Sequence, residues 1–447
     1  MSDKKHTRRD FVKKSAAVTA GLYWAASARS YGNILGANDR INCAAVGVHG
    51  RGKALIRSLA TAKNSALTAV CDVDKREFDL AGKLVQETFG SSAANAVTNY
   101  VDFRKLLENK DVDAILIATP EHWHAPMSLM GVQAGKHVYV EKPCSHNPRE
   151  GELLVEAQQK YKRVIQMGNQ QRSAPTSIQA VADIGAGLIG DVYYGKAWYA
   201  NNRKSIGVGK SVAVPDWLDW DLWQGPAPRE GYKDNYVHYN WHWFWNWGTG
   251  EINNNGTHEI DICRWALGVE FPKSVISSGG RFHFKDDWQF YDTQNVNYEF
   301  EGGKMITWEG RSCNGFKQHE RGRGVTLHGT KGTILLDRNG YKVYDNEGKL
   351  IKDVKEKGES ATLNTVGGGF LTDLHMQNFV NAVRQGERQN SPIRDGHITN
   401  LLCHLGNISQ KVGRKLMLDT DNGRILRDRG ARKYWSRDYA PGWEMKV

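Results

Sequence analysis

Paired cysteines are missing from this sequence. Its 447 residues include six cysteines, scattered and without a Cys-x-x-Cys, so no disulfide framework or thiolate metal site follows from spacing. Cys43 and Cys71 fall in apolar runs, where a free thiol acts as a small hydrophobe. Blocks of like charge are missing too. The net charge is +11, and no run reaches five basic residues. That excludes a nucleic-acid stripe and leaves a surface mildly attractive to anions. No stretch is apolar enough for long enough to span a bilayer, so no membrane anchor is expected. Internal repeats, low-complexity tracts and a disorder composition are likewise absent.

What is present is length and tryptophan. The chain is too long for one ordinary core and implies two domains. Its 15 tryptophans are an unusual number. Residues 1–28 read as a twin-arginine signal peptide, with Arg8, Arg9, Phe11 and Lys13 in register, a modest apolar stretch, and Ala26-Ser27-Ala28 as a cleavage site. Six Lys/Arg and two Asp/Glu of that segment account for +4 of the net charge. The twin-arginine route exports folded proteins, so a soluble periplasmic protein is expected, with any cofactor loaded first and held tightly.

Ile41 to Asp72 organises the rest. Ile41–Val46 is a short apolar run that suits a buried parallel strand. Gly47, Gly50 and Gly52 follow, then helical spacing of Leu55, Ile56 and Leu59, then a second apolar run that ends on Asp72. This is the layout of a dinucleotide-binding βαβ unit. Gly47 lets the chain leave the strand sharply. Free N–H groups at the helix start, around Arg51, suit a pyrophosphate. Gly52 lets the helix lie close to the sheet. Asp72 can accept from both ribose hydroxyls and repels a 2′-phosphate, which favours NAD. His49 stands where the fingerprint has a glycine, and Gly50 takes over part of the turn.

Two more strand ends carry chemistry. Val112–Ala118 reads as a buried strand running into Thr119-Pro120-Glu121-His122-Trp123-His124, with a helix from Pro126 to Ala134. His137–Val140 is another strand, closing on Glu141-Lys142-Pro143. Ligands gather at such strand ends in α/β sheets. A lysine partly desolvated there has a lowered pKa and can exchange a proton with substrate.

The glycine turn, the Ala-Thr-Pro-x-His-x-His segment and the Val-x-Val-Glu-Lys-Pro segment resemble the Gfo/Idh/MocA family of sugar oxidoreductases. So do Met167–Arg172 and Gly248–Trp265. The resemblance covers roughly residues 41–418 and implies a Rossmann NAD-binding domain over 38–162. A carboxy-terminal α+β domain over 163–447 follows, with a large, mostly antiparallel, open-faced sheet that covers substrate and forms a dimer or tetramer. It places Lys142 beside the nicotinamide and the reacting hydroxyl. His258 matches the family's active-site histidine, and Asn254 stands where many members have an aspartate that works with it. Asparagine cannot take a proton, so more of the base role moves to His258 and Lys142. Thr119, Pro120, His122, His124, Glu141 and Gln170 are expected around the cofactor. A His-x-His pair can also bind metal, but no third ligand is nearby, so none is expected. Arg172, Asp292 and His319 are pocket candidates by resemblance.

In the second domain, strand-like segments include 164–167, 192–200, 274–284, 293–300, 304–311 and 324–329, with helices 176–184 and 259–267 over one face. The other face is expected to look back at the cofactor. The aromatic run Trp241-His242-Trp243-Phe244-Trp245-Asn246-Trp247 alternates, which as a strand puts its tryptophans on one side. Trp241, Trp243 and Trp245 are candidates for stacking on sugar rings, with Asn255 beside them, although core packing accounts for some. Asp261 is expected to pair with Arg264 or Arg311. The resemblance implies an NAD-dependent oxidoreductase acting on a hydroxyl of a sugar or glycoside, with ring carbon 3 as a plausible target. Two alternatives stand beside it. One is a redox-neutral glycosidase like the NAD-dependent α-N-acetylgalactosaminidase branch. The other is a non-catalytic sugar-binding protein.

Overall fold

The computed structural model describes residues 40–356 and 368–447. The expected signal peptide lies outside the described residues. Six short strands come first: β1 (Ile41–Val46), β2 (Ser65–Cys71), β3 (Thr98–Tyr100), β4 (Ala114–Ile117), β5 (His137–Val140) and β6 (Ile165–Met167). They form one sheet in the order β3-β2-β1-β4-β5-β6. The pairs β2–β3, β1–β4, β4–β5 and β5–β6 run parallel. This order places the crevice between β1 and β4, where the connections diverge to opposite sides. The Ala-Ile-Leu-Ile of β4 is buried throughout, as a strand covered on both faces requires.

Residue 163 does not end this sheet. β6 was expected to open the second domain, yet Ile165 pairs with Val138 of β5 in parallel register. Three residues are too few to carry a periodic signal, and the pairing decides their sheet.

The second sheet has nine strands: β7 (Val192–Ala200), β8 (Ser274–Gly280), β9 (Thr293–Glu299), β10 (Met305–Arg311), β11 (Arg323–Gly329), β12 (Gly332–Asp337), β13 (Gly340–Tyr344), β14 (Leu350–Lys355) and β15 (Leu416–Met417). Their order is β14-β13-β12-β11-β7-β10-β9-β8-β15. All described pairings are antiparallel except β7–β10. β8 stops at Gly280 rather than running to Phe284, because the Phe282 and His283 amides donate to Asp292 Oδ2 (2.9 and 3.0 Å) instead of to a strand.

Helices Pro175–Gly185, Thr257–Leu267 and Ile393–Val412 pack on one face around Ile260, Cys263, Ile306 and Leu402. Gly195 of β7 permits this approach, since a Cβ there would stand 3.0 Å from Cys263 Sγ. The other face is polar, with Lys196 paired to Glu309 (3.0 Å) and Thr307 bonded to Asn297 (2.8 Å). That face does not look at the cofactor cleft. Tyr199 and its partner Arg323 point to the helix side, where Arg323 reaches Glu259 at 2.7 Å. The carboxy-terminal part of the chain returns to the first sheet: Asn400 Oδ1, in the helix Ile393–Val412, accepts from the Cys144 amide (2.8 Å), and Trp443 packs edge-on against Trp123.

Candidate active site

A cleft of about 900 Å³ opens at the carboxyl ends of β1, β4 and β5 and extends to the ends of β7 and β11. Its nucleotide half begins with the glycine turn. Gly47 has φ +78°, and a Cβ on it would meet the Ala118 carbonyl and Thr119 nitrogen at 2.8 Å. A Cβ on Gly52 would fall 1.9 Å from the Gly47 oxygen. The helix Arg51–Thr61 starts at Gly50 with no side-chain cap and no acid in its first turn. Its leading N–H groups therefore suit a phosphate.

Asp72 lines this half and accepts from the Val48 (2.7 Å) and Asp74 (2.9 Å) amides. Each carboxylate oxygen keeps capacity for another donor. Burial pushes the Asp72 carboxyl up to about 6. His49 does not close the turn; its Nδ1 lies 2.7 Å from Glu77 and its ring stacks on His238. The uncapped helix start, the close-packed glycines and the terminal carboxylate fit a dinucleotide.

The wall under the expected nicotinamide is a fixed network. Glu141 Oε1 accepts from Arg51 Nε (2.8 Å) and Gln170 Nε2 (3.0 Å). Thr119 and Pro120 also line the cleft. His122 and His124 sit in the first turn of the helix Glu121–Gln133, which starts before Pro126. That proline removes the helical donor to the His122 carbonyl, and Arg437 Nη2 donates to that oxygen instead at 2.7 Å. His122 is buried away from the cleft, with Nε2 2.9 Å from the Trp223 carbonyl. His124 does line the cleft, and its nitrogens face the Pro143 and Thr119 carbonyls at 2.6 and 2.8 Å. Burial holds its pKa down, so the neutral ring donates to one of these carbonyls and rests its other nitrogen against the second, beside the Lys142 loop.

Lys142 donates from Nζ to the Asn254 carbonyl (2.5 Å) and to Asn254 Oδ1 (2.9 Å). Burial lowers its pKa to about 8, against the attraction of nearby Glu121 and Glu141. Asn254 lies in a π-helical turn, Ile252–Gly256, just ahead of the helix that carries His258. π-turns are short distortions frequently found at functional sites. Asn254, Asn255 and His258 all line the cleft. His258 is 3 % exposed, and its Nδ1 has no hydrogen-bond partner among the described residues. Burial holds its pKa well below the usual value, and repulsion from Arg338, Arg323, Lys142 and Arg51 adds to that, so the imidazole is neutral.

Behind Asn254 stands Glu251, absent from the sequence reading. It accepts from Arg203 Nε (2.6 Å), Asn255 Nδ2 (2.5 Å) and Ser312 Oγ (3.0 Å), and its pairing with Arg203 keeps it charged despite burial. Tyr199, Arg203 and Arg323 line the far half and were also missed. No local pattern marks them, because only the adjacency of β7 and β11 brings them together.

Several expected substrate contacts lie elsewhere. Trp241 lines the cleft, stacked on His242. The run 241–247 is not a strand: residues 240–243 form a 3-10 turn, and Trp247 and Gly248 bond back to Phe244. Trp243 therefore turns inward onto Trp288 (3.8 Å), and Trp245 packs on Phe290 (3.8 Å). Arg172 is consumed by a buried bidentate pair with Asp261 (2.7 and 2.8 Å) and by Asp395. Asp261 thus takes Arg172 as its close partner; Arg264 stands 3.9 Å away and Arg311 pairs with Glu309. Asp292 is buried as a loop staple. His319 rests near Trp198, off the cleft wall.

Comparison with known proteins agrees with this geometry. Residues 41–169 match the model of an oxidoreductase family with an NAD-binding Rossmann fold, and residues 195–445 match that family's carboxy-terminal α/β domain. A glycosyl hydrolase family 109 protein from Saccharopolyspora erythraea is 29 % identical over 253 residues, 51 % of this chain and 55 % of that protein. The chain thus spans about half the length of that relative. Glycosyl hydrolase family 109 protein 2 from Shewanella sp. strain ANA-3 is 28 % identical over 438 residues, 87 % of this chain and 90 % of that one. The solved aldose-aldose oxidoreductase from Caulobacter crescentus shares the fold, with TM-score 0.62 at 18 % identity over 85 % of this chain and 100 % of its own. With its nucleotide half and more than half of its whole length matched by the family's two domain models, the chain belongs to the Gfo/Idh/MocA family of NAD-binding oxidoreductases.

Proposed function

We propose that the protein oxidises a ring hydroxyl of a sugar or glycoside, plausibly at carbon 3, with NAD held in the cleft. One observation carries this reading. Lys142, Asn254 and the neutral His258 share a cleft with the glycine turn and Asp72. The glycine turn, the helix start at Arg51 and Asp72 would hold NAD, which would supply the hydride acceptor for the ring carbon. The chain's residues handle the proton. Neutral Lys142 accepts it from the hydroxyl, and the Asn254 carbonyl and Oδ1 hold the ammonium that results. Arg323, which lines the cleft, favours the negative charge that develops on the oxygen. His258 Nδ1, unpartnered among the described residues, is free to orient a second hydroxyl or relay the proton.

The proton acceptor sets a pH dependence. Lys142 accepts a proton only when neutral, so oxidation should rise with pH through about 8, not through the ordinary lysine value. Glu121 is buried against Thr249 Oγ1, and burial pushes it up to about 8, so it and Lys142 titrate together and its charged form favours the Lys142 ammonium. Glu121→Gln should therefore move the midpoint to lower pH. A pH profile of single-turnover reduction of bound NAD checks both; a midpoint that stays near the free-lysine value removes Lys142 from this role.

A second reading is a redox-neutral glycosidase; the family 109 relatives are named as glycosyl hydrolases. Oxidation at carbon 3 acidifies the hydrogen at carbon 2. A base removes that proton, the bond to the leaving group breaks, water adds, and the hydride returns. Such a cycle needs a cofactor that stays. The segment 217–238 crosses the expected adenosine end: the Lys75 amide donates to the Trp217 carbonyl (2.9 Å), the Asp219 amide to Val73 (3.0 Å), and His238 Nε2 lies 2.8 Å from Asp74. A hydrogen bond to a charged group contributes about 1.5–3 kcal/mol. His238→Ala should thus release NAD roughly 10–100-fold faster into nucleotide-free buffer, and an unchanged release rate removes the strap from the account. Liberation of an aglycone without added electron acceptor separates the two readings.

We further propose export by the twin-arginine route to the periplasm and a homo-oligomer. Both rest on the sequence and the family; fractionation and light scattering check them.

A further inference from the structure

We propose that the sugar taken by this site carries a negative charge, a carboxylate or sulfate on or beside the ring that is oxidised. The inference rests on the sugar-oxidising reading above and adds the substrate's charge.

The far half of the cleft is lined by Lys142, Arg203, Lys317 and Arg323; the carboxylates of the lining, Asp72, Asp102 and Glu141, belong to the nucleotide half, with Glu141 adjoining Lys142. Two of the four are compensated from behind. Arg203 pairs with Glu251 at 2.6 Å and Arg323 with Glu259 at 2.7 Å. The other two have no ion pair among the described residues. Lys142 Nζ donates only to the oxygens of Asn254, with Glu121, Glu141 and Glu251 attracting it from farther off. Lys317 stands exposed at the rim beside Phe316, itself 76 % exposed, and has no ion pair among the described residues.

A fifth cation lies just behind. Arg338, in the turn between β12 and β13, is 7 % exposed, and its Nη1 is buried with no hydrogen-bond partner among the described residues. Burial and the neighbouring Arg323 push it down to about 9 against the attraction of Glu259, whose carboxylate is already paired with Arg323, and its field is the largest charge acting on His258. A buried cation without a counter-charge of its own costs stability unless a ligand supplies the charge. The transient charge on the reacting oxygen accounts for Lys142. It does not account for Lys317 at the rim or for a permanent guanidinium at Arg338. A substrate with a standing negative charge accounts for all three, and it agrees with His258, a buried imidazole that faces cations and has no carboxylate partner among the described residues.

The test is calorimetric binding to the NAD-loaded protein, using matched methyl hexosides, methyl hexuronides and primary sulfate esters in the gluco, galacto and manno series. In at least one series an acidic member should bind about tenfold tighter than the neutral one, a plausible size for one added ionic hydrogen bond. Raising the salt should shrink that ratio, since the rim contact is screened. The carboxylate and sulfate arms show which anion fits. Lys317→Gln should lower the acid-to-neutral ratio several-fold. Arg338→Met should lower it too while raising Tm, because an unpaired buried cation is replaced by an apolar chain. Neutral members that bind as tightly in every series overturn the proposal. So does an Arg338→Met protein with lower Tm and an unchanged ratio; should that variant fail to fold, the wild-type series and Lys317→Gln decide. Absorbance of the bound nucleotide is followed in parallel. An acid that binds tightly without reducing it contradicts the oxidation reading and leaves the charge standing.

Discussion

Replacing Lys142 by methionine should slow hydride transfer about 10³-fold, within the range for losing a positioned acid–base group. The side chain is half-buried in the cleft wall, and its Nζ reaches Asn254 twice, at 2.5 and 2.9 Å. Methionine fills much of the same volume but takes no proton. The neutral imidazole of His258 stays in the cleft and supplies the residual rate. Nucleotide content should not change, because the glycine turn and Asp72 are untouched. Single-turnover absorbance of the reduced nicotinamide, with a nucleotide assay on the same sample, measures both. A loss smaller than about tenfold would mean that proton transfer does not pass through this amine.

Gly52→Ala should be nearly as severe, by a different cause. Its Cβ would fall 1.9 Å from the Gly47 oxygen and 2.8 Å from the Gly47 carbon, both backbone. Gly47 has little room to recoil, since even one added carbon on it would overlap the Ala118 carbonyl and Thr119 nitrogen at 2.8 Å. The turn must open, at about 1–3 kcal/mol for forced overpacking. The helix start then moves away from its phosphate position, so NAD affinity should fall about 100-fold or more, the scale of two lost charge-assisted bonds. Gly82→Ala is the control. It sits in the helix Glu77–Phe89, and a Cβ there meets nothing within 4 Å. That variant should gain about 0.5–1 kcal/mol from helix propensity and keep its NAD. Equal NAD retention in the two variants would contradict the assignment of the turn.

Asp72 makes a pH statement of its own. Its carboxyl titrates near 6 because it is buried, and only the charged form accepts from both ribose hydroxyls. The affinity of the nucleotide-free protein for NAD should therefore be full above that value and fall as the pH drops through it. Titration calorimetry across that range reads the effect, and a flat profile excludes Asp72 as the ribose contact.

The parts legible in the sequence are those whose chemistry is local. The turn from Val46 to Gly52 is dictated by a strand, three glycines and an apolar helix within one short stretch, and the structure brings Asp72 to the same cleft. Lys142, Asn254 and His258 were placed by motifs at element ends, and all three line that cleft. What stayed hidden depends on sheet order. Arg203 and Arg323 lie far apart in sequence and meet the site only because β11 pairs with β7. Glu251 is one carboxylate among many until Arg203, Asn255 and Ser312 converge on it.

The misreadings have the same origin. Alternating tryptophans at 241–247 carry a period of two, but turns closed on Trp241 and Phe244 send Trp243 and Trp247 into separate clusters. Arg172 follows Gln170 in a motif that borders the cofactor, yet the buried Asp261 captures its guanidinium. A short-range pattern cannot say which of two partners a charged side chain will find.

The most direct test uses a sugar deuterated at the carbon that bears the reacting hydroxyl, mixed with the NAD-loaded protein and quenched within one turnover. Both readings of the activity predict deuterium on the nicotinamide and a slowed reaction. A sugar that is transformed while the bound nucleotide stays oxidised and unlabelled would contradict the account.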